Sequence, residues 1–535
     1  MPDQTNDKLI IDLNFRNMII DESRPEGKMF DSRRMFALIT ETIIDKRTME
    51  MVEIHDLYKA LNHTITNVGA ARLFHSLATP SESLELIQAK QEGLLELGAN
   101  DRLRNAVADF LGEIRKGEPD LFRYLNGNFQ AIAPYGVVKK AIKAIENMHK
   151  AAEAIPQPET IYLDSLLGMI RLFGRSPESE LIRKPTYRTI RGVIGQSEKK
   201  WFTPALRYRN GRLSGGSIAP ILPCLLISGA GQIGFMNPAL AQYLTILSGG
   251  GFFLGTLYGG LLKPIFDYET AVLPLRSRFL SSGRFASAIE AIGCLDVTYS
   301  LGEFRHSINH ATVMPEITDG ERHYFEARNL KNPILAKDNP DYVGNDVKLN
   351  GEVTFITGPN SGGKTTYCKS VVQSQILGQI GAPVVAEKAK MNIATHIAYQ
   401  APAFDSLNDL EGRFGTELRT TRDIFYATTP KSLVILDEIA EGTTSHERMN
   451  QSVAILNGLL AKCNSTMLVT HSFELAENFQ KSNLGKFMQV EFKNDAPTHQ
   501  FIPGISRDSH AERISKKINF SPEDITRHLK DNGYI

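Results

Sequence analysis

The stretch Gly358-Pro359-Asn360-Ser361-Gly362-Gly363-Lys364-Thr365 decides the reading of this 535-residue chain. It carries the spacing G-x-x-x-x-G-K-[ST]. It follows the strand-like run Val353-Thr354-Phe355-Ile356-Thr357 and opens a helical run over 367–379. In that context the glycines let backbone N–H groups curl around phosphate oxygens, and the helix N-terminus favours the anion. Lys364 is expected to reach the β- and γ-phosphates of ATP, and Thr365 to ligate Mg²⁺ through its hydroxyl. Thr366 completes the expected phosphate-binding set.

Two more strand candidates end in chemistry. Leu433-Val434-Ile435-Leu436 runs into Asp437-Glu438, and Met467-Leu468-Val469 runs into Thr470-His471. An acidic residue at the end of a hydrophobic strand is where Mg²⁺ is held in such folds, so Asp437 takes that role, acting through water. Glu438 is placed as general base for the attacking water. A histidine after a strand is ordinarily structural. His471 comes third in the right order, and is read as a γ-phosphate contact. From about residue 328 short β-branched runs alternate with helices, which implies a parallel sheet with crossover helices.

Upstream, residues 1 to about 325 read mostly as helix. Leu57, Leu61, Val68, Leu73 and Leu77 share one face, and Leu84, Ile87, Leu94 and Leu97 continue it. Breaks are expected at Thr79-Pro80-Ser81 and Gly117-Glu118-Pro119. Met35, Phe36, Ile39, Ile43 and Ile44 form a helix face suited to core packing. Hydrophobic residues make up 42% and charged residues 22%, which excludes a disordered chain. Lys+Arg and Asp+Glu are both 60, so global charge announces no nucleic-acid partner. Cys224, Cys294, Cys368 and Cys463 lie too far apart for a zinc or redox motif, which points to reduced, buried thiols. The polar N-terminus does not read as a secretory signal.

Residues 213–262 contain no Asp, Glu, Lys or Arg. Two apolar stretches, 218–235 and 240–262, flank the turn Asn237-Pro238. Each is near the ~20 residues that span a bilayer as a helix. Gly249, Gly250, Gly251, Gly255, Gly259 and Gly260 suit close helix contact in lipid. Pro220, Pro223 and Gln232 weaken the first span. The expectation is a transmembrane hairpin that binds membrane lipid. A buried hairpin or an exposed self-association tip is the alternative. The preceding cluster Arg183, Lys184, Arg188, Arg191, Lys199, Lys200, Arg207, Arg209 and Arg212 is opposed only by Glu198. Lys263, Arg276 and Arg278 follow. Basic residues on both sides place both ends in the cytoplasm, with the ATPase at the inner face of the cell membrane. The cluster suits anionic headgroups, or DNA phosphates through Arg183–Arg212, or a solvated basic face.

At these motifs the chain resembles the MutS family of mismatch-repair ATPases. Thr357 to Lys364 is similar to the family's TGPN-x-GGK loop, and Asp437-Glu438-Ile439-Ala440-Glu441-Gly442-Thr443-Thr444 to its DEIGRGT segment. Thr470-His471 is similar to its TH pair, and Asn345-Asp346 to its ND pair near the nucleotide. Leu61-Asn62-His63-Thr64-Ile65-Thr66-Asn67-Val68-Gly69 resembles the opening of the family's helical core and lever. Ile289 to Asp296 resembles the lever's return helix. Gly504-Ile505-Ser506 with Ser509, then Phe520 to Ile525, resembles the dimerisation segment. The likeness covers about residues 50–212 and 263–535. Only about 50 residues precede the lever, without a Phe-x-Glu reading motif, and the apolar segment stands where the family inserts a DNA clamp. Gly412 occupies the place of the Ser in the family's trans-acting loop.

The resemblance implies a homodimer with composite ATP sites. One subunit supplies Lys364, Thr365, Asp437, Glu438 and His471, and its partner supplies the Gly412 loop and Thr443 to Ser445. The expected organisation is an N-terminal helical segment (1–50), all-α core and lever helices (51–212), the apolar hairpin (213–262) and returning lever helices (263–327). An ABC-type P-loop ATPase domain (328–500) and a C-terminal helical dimerisation segment (501–535) follow. Three functions fit: a membrane-anchored ATPase switch able to contact DNA, a soluble DNA repair or recombination factor whose apolar segment is a protein interface, or an ATP-binding scaffold with weak turnover.

Overall fold

The computed structural model describes residues 32–39, 42–126, 135–189, 192–201, 206–208, 237–257, 263–359, 362–401, 412–439, 445–493, 496–507 and 518–534. They fall into two compact units. One draws on positions up to 38, on 64–73 and on 93–300; the other on 39–63, 74–92 and 301 onward.

The first unit is built on long helices: α1 (Asn67–Ala78), α2 (Asp101–Asn126), α3 (Tyr135–Ala154), α4 (Ile161–Gly174), α5 (Pro238–Leu257) and α6 (Gly283–Ser307). On α2, Leu103, Val107, Phe110, Leu111, Leu121, Phe122 and Leu125 recur at helical spacing, and all are buried. They pack with Val138, Ala141, Ile145 and Met148 of α3 in one core. Phe173, Phe279 and Phe285 meet in that core with ring centroids 5.2–6.5 Å apart. The break expected at Gly117-Glu118-Pro119 does not occur. The helix runs through it, and Glu118 turns inward.

Glu118 and Asp296 are buried carboxylates that hold the start of α1. Glu118 accepts from the backbone N–H groups of Asn67 (2.9 Å) and Val68 (2.8 Å). Asp296 accepts from those of Ile65 (2.9 Å) and Thr66 (2.7 Å), and from the Thr66 hydroxyl (2.6 Å). A helix N-terminus offers unpaired donors and a positive dipole end, so two acids belong there. The approach is close: a Cβ on Gly69 would stand 2.1 Å from Asp296 Oδ2. The separate segments 61–69 and 289–296 thus form one physical joint.

Two expectations for this unit are corrected. It is not all-α: β1 (Thr186–Thr189), β2 (Gly192–Ile194) and β3 (Leu206–Tyr208) form an antiparallel sheet in the order β2-β1-β3. And the expected transmembrane hairpin is overturned. Among the described residues no helix is long and apolar enough to cross a membrane. The second arm is helix α5, with the sequence PALAQYLTILSGGGFFLGTL, and its four glycines together with Gln242, Tyr243, Thr245, Ser248 and Thr256 dilute its apolarity. The first arm, 218–235, lies outside the described residues.

The second unit is α/β. Its strands are β4 (Glu316–Thr318), β5 (Tyr324–Leu330), β6 (Asn345–Asn350), β7 (Val353–Thr357), β8 (Lys388–Asn392), β9 (His396–Gln400), β10 (Ser432–Asp437), β11 (Ser465–Val469), β12 (Lys486–Lys493) and β13 (Ala496–Pro503). Six of them form a sheet in the order β13-β12-β7-β11-β10-β9, parallel except for the β12–β13 pair. A smaller mixed sheet has the order β4-β8-β5-β6. Every residue of β7 and β11 is buried, as expected of parallel strands covered on both faces. Among its helices are α7 (Lys364–Gln379), α8 (Gly412–Ala427), α9 (Ser445–Ala461) and α10 (Phe473–Lys481). The edge of β9 is covered by residues 43–48: Ile397 N–H donates to the Ile43 carbonyl (2.8 Å), and Tyr399 N–H to the Thr48 hydroxyl (2.9 Å).

Gly69→Ala is expected to lower stability by about 2 kcal/mol or more, read by chemical unfolding, because the new methyl displaces a buried carboxylate. Burial pushes the Glu118 carboxyl from 4.5 up to about 7, against the pull of its N–H donors. Between those values the folded state holds a proton that the unfolded chain has lost, so stability falls as pH rises from about 4.5 to about 7. That span corresponds to about 3 kcal/mol. Glu118→Gln is expected to remove this part of the slope in urea unfolding measured across pH, leaving the part due to Asp296, which burial raises to about 6.

Candidate active site

Three strand ends converge on the glycine loop. Beyond β7 the chain enters the loop through Gly358 and leaves it through Gly363, with φ of 127° and 86°, values that only glycine adopts without strain. Gly363 caps α7. Pro359 is buried, and its carbonyl accepts from the Gly362 N–H (3.1 Å). Asn360 and Ser361 lie outside the described residues.

Lys364 is buried, and its Nζ donates to the Gly358 carbonyl (2.6 Å). Burial lowers its ammonium from 10.5 to about 8, and the charges of Asp437 and Glu438 hold it from falling further. The Thr365 hydroxyl donates to Asp437 Oδ2 (2.9 Å). Burial raises the Asp437 carboxyl, and the Thr365 bond and the Lys364 charge oppose that rise. The parallel register pairs Asp437 with Val469, and the Glu438 N–H bonds the Val469 carbonyl (2.9 Å). Glu438 has a φ of 66°, left-handed backbone in a residue with a side chain. Such a conformation costs on the order of 1–3 kcal/mol and clusters at functional turns. His471 Nε2 stands 3.3 Å from Glu438 Oε1. Both line a cavity of about 620 Å³ with His446, Arg448, Ser472 and Glu474.

On the other side of the loop is a cavity of about 280 Å³. Gly362, Gly363, Thr366, Asn345, Tyr342, Tyr367, His499 and Phe501 are among the residues that line it. Tyr367 stacks on Phe501 at 4.3 Å. Asn345 joins β6 to β13, donating to the His499 carbonyl (3.0 Å) and accepting from the Phe501 N–H (2.8 Å). Its amide is therefore committed to the wall of the cavity. The aromatic lining went unread in the sequence, since its members are scattered from 342 to 501 without a motif. Gly412 is the first residue of α8. The preceding 402–411 and the segment 440–444 lie outside the described residues.

A hydroxyl touching one carboxylate, beside a phosphate-type loop, fits Mg²⁺, which binds through one or two protein oxygens and completes its shell with substrate phosphates and water. Among the described residues no group of three or more His, Cys, Asp or Glu is placed to hold a metal ion unaided.

Among the described residues, part of the basic cluster and its flank is engaged within the fold. Arg188 donates to the buried Asp267, and Arg278 grips Glu198 with two bonds of 2.7 Å. Arg183 bonds the Gly174 carbonyl and the His149 ring, Lys184 pairs with Glu180 (3.3 Å), and Lys199 lies over the Tyr187 ring. Lys200 and Trp201 are exposed. Arg191, Arg209 and Arg212 lie outside the described residues, and only the backbone of Arg207 is described, in β3.

A strand, glycine loop and helix, flanked by parallel strands ending in Asp-Glu and Thr-His, define a P-loop α/β domain. The family described as MutS domain V matches residues 354–530. The chain is 29% identical over 255 residues to the DNA mismatch repair protein MSH3 of Kluyveromyces lactis, and 33% identical over 214 residues to MSH3 of Coccidioides immitis. It is 30% identical over 237 residues to the DNA mismatch repair protein MutS of Caldicellulosiruptor saccharolyticus. These matches cover 45%, 39% and 42% of this chain, but only 24%, 19% and 27% of the relatives. The chain thus spans about a quarter of the length of the curated relatives it matches. Over residues 354–530 it is similar to MutS domain V.

The lysine environment is directly testable. In the nucleotide-free protein, one ¹³C-methylated lysine resonance is expected to titrate with a midpoint near 8. Asp437→Asn is expected to move that midpoint lower, because Asp437 is the leading charge that supports the ammonium.

Proposed function

We propose that this protein is an ATP-hydrolysing, dimeric conformational switch of the MutS family that acts in DNA repair or recombination, with residues 213–262 serving as a protein–protein contact. The observation that carries the reading is the Thr365–Asp437 contact beside buried Lys364, one turn from Glu438 and His471. In this reading Gly358, Pro359, Asn360, Ser361, Gly362, Gly363 and Thr366 surround the phosphates, and Lys364 neutralises them. Thr365 and Asp437 would hold Mg²⁺, which would supply positive charge to the phosphates. Glu438 takes a proton from the attacking water as its oxygen bonds to the γ-phosphorus, the bond to the bridging oxygen breaks, and ADP and phosphate leave. His471, 3.3 Å from Glu438, would contact the γ-phosphate.

Dimerisation finds support at the C-terminus. The helix Pro522–Asp531 begins with a Ser521–Asp524 capping box and buries none of its residues, while Ile518, Phe520 and Tyr534 are exposed. Exposed apolar side chains at that density mark an interaction surface. On α5, Leu240, Tyr243, Ile246, Phe253 and Leu257 are exposed in the same way, which supports a protein contact there. A DNA partner rests on the names of the relatives. Within the basic cluster, Arg188 is already paired with Asp267.

The deciding experiment is turnover and binding in two variants. Glu438→Gln is expected to cut ATP hydrolysis by about 10²–10⁴-fold while ATP still binds, and to accumulate an ATP-bound dimer in sedimentation. Lys364→Ala is expected to lose binding itself. A wild-type chain that binds ATP and releases no phosphate, with Glu438→Gln indistinguishable from it, would instead support the scaffold with weak turnover.

A further inference from the structure

Tyr399 lies on β9, beside the strand that ends in Asp437. The parallel register sets Tyr399 against Ile435 and Gln400 against Leu436. The ring is 1% exposed. Its hydroxyl is buried and has no hydrogen-bond partner, yet it lies close enough to the Asp437 carboxylate for each to perturb the other. A buried hydroxyl without a partner costs free energy, and native folds rarely tolerate one without a use. Burial first, then the nearby Cys368 and Asp437, hold its proton on. It is therefore a neutral donor, on the strand beside the one that ends in Asp437.

The donor cannot readily move. Its backbone N–H is tied to the Thr48 hydroxyl (2.9 Å), and two residues earlier the Ile397 N–H is tied to the Ile43 carbonyl (2.8 Å). Asp437 is less constrained: it stands at the last position of β10 and receives the Thr365 hydroxyl on one oxygen (2.9 Å). A carboxylate has room for further donors. The Tyr399 hydroxyl and the Asp437 carboxylate are thus neighbours without a settled bond between them.

We propose that Tyr399 is a positioning residue for Asp437: with nucleotide and a divalent cation bound, its hydroxyl donates to the carboxylate and fixes the orientation that receives the cation. This rests on the reading of Asp437 as the cation-holding carboxylate. It makes Tyr399 a group whose bond is formed in the loaded state and unmade in the free one.

The test compares the full-length protein, Tyr399→Phe and Asp437→Asn. The probe is a fluorescent ATP analogue, bound in EDTA and then titrated with MgCl₂, with thermal unfolding recorded in both conditions. Tyr399→Phe removes one oxygen and keeps the ring. In EDTA it is expected to bind the analogue as the wild type does, and to unfold at the same or a higher temperature. With nucleotide present it is expected to need about tenfold more Mg²⁺ for half-saturation, the effect of one hydrogen bond to a charged group. Its unfolding temperature in Mg²⁺ and nucleotide should then fall below that of the wild type. That reversal of sign between the two conditions is something packing alone does not produce. If Tyr399→Phe is destabilised equally in both conditions, or responds to Mg²⁺ as the wild type does while Asp437→Asn loses its response, the proposal is overturned and the reading of Asp437 stands. If Asp437→Asn keeps the wild-type response to Mg²⁺, that reading falls, and the proposal with it.

Discussion

The contact between Thr365 and Asp437 depends on strand register. β7, β11 and β10 are parallel neighbours, so their C-terminal ends lie on one edge and the turns that follow them share one space. A slip of one residue would turn Asp437 to the opposite face of the sheet. The hydrophobic runs that secure the register also keep the strands buried on both faces, and the reactive residues must then come just past the last buried position. Glu438 does so with left-handed backbone, and His471 follows Thr470, whose N–H bonds the Ile356 carbonyl of the loop-bearing strand (3.1 Å). Local strain and sheet order thus have a common origin.

Helix α7 shows how firmly the loop is anchored. It is buried over most of its length yet rich in polar residues. Gln373 donates to the Val52 carbonyl (2.8 Å) and accepts from Asn332 (2.8 Å). Gln379 donates to the carbonyls of Ser81 and Ala394 at 3.0 Å each. Lys369 pairs with Glu53 (2.8 Å). Satisfied amides of this kind fix a helix in rotation and translation, where apolar contacts alone would let it slide. They also explain why residues 39–63 and 74–92, distant in sequence, belong to the α/β unit.

What could be read in the sequence was what is contiguous. The glycine loop, Asp437-Glu438 and Thr470-His471 are each a few adjacent residues at a strand end, so spacing alone picked them out as candidates that parallel strands bring together. The Glu118–Asp296 joint, the aromatic cavity and Tyr399 depend on partners tens to hundreds of positions away, and no local pattern marks them. Some surroundings of the basic cluster were hidden for the same reason. Counting neighbours in sequence found only Glu198 opposing it, while Asp267, across the fold, neutralises Arg188. The apolar segment misled differently: the absence of charge was read as lipid solubility, although glycines and hydroxyls without charge do not amount to a span. The break expected at Pro119 failed because proline removes a single helical bond, and the core on both sides of it holds the helix together.

The electrostatics give these parts one logic. Lys364 and Asp437 are brought together in a partly dry turn, where each is costly to ionise unaided and each supports the ionisation of the other. Lysine, lowered to about 8, stands at the edge of losing its charge near neutral pH. An approaching phosphate would restore that charge, and the same approach would leave Asp437 short of cationic support, to be made good by a divalent ion and by the donors around it. Binding of anion and of cation are then favourable together and less favourable apart. Under the proposed function such coupling would make the loop a two-state element, since loaded and free arrangements would differ in which charges are satisfied. Tyr399 fits that logic as a neutral donor: it can hold Asp437 in the loaded state without adding a charge that the free state would have to bury.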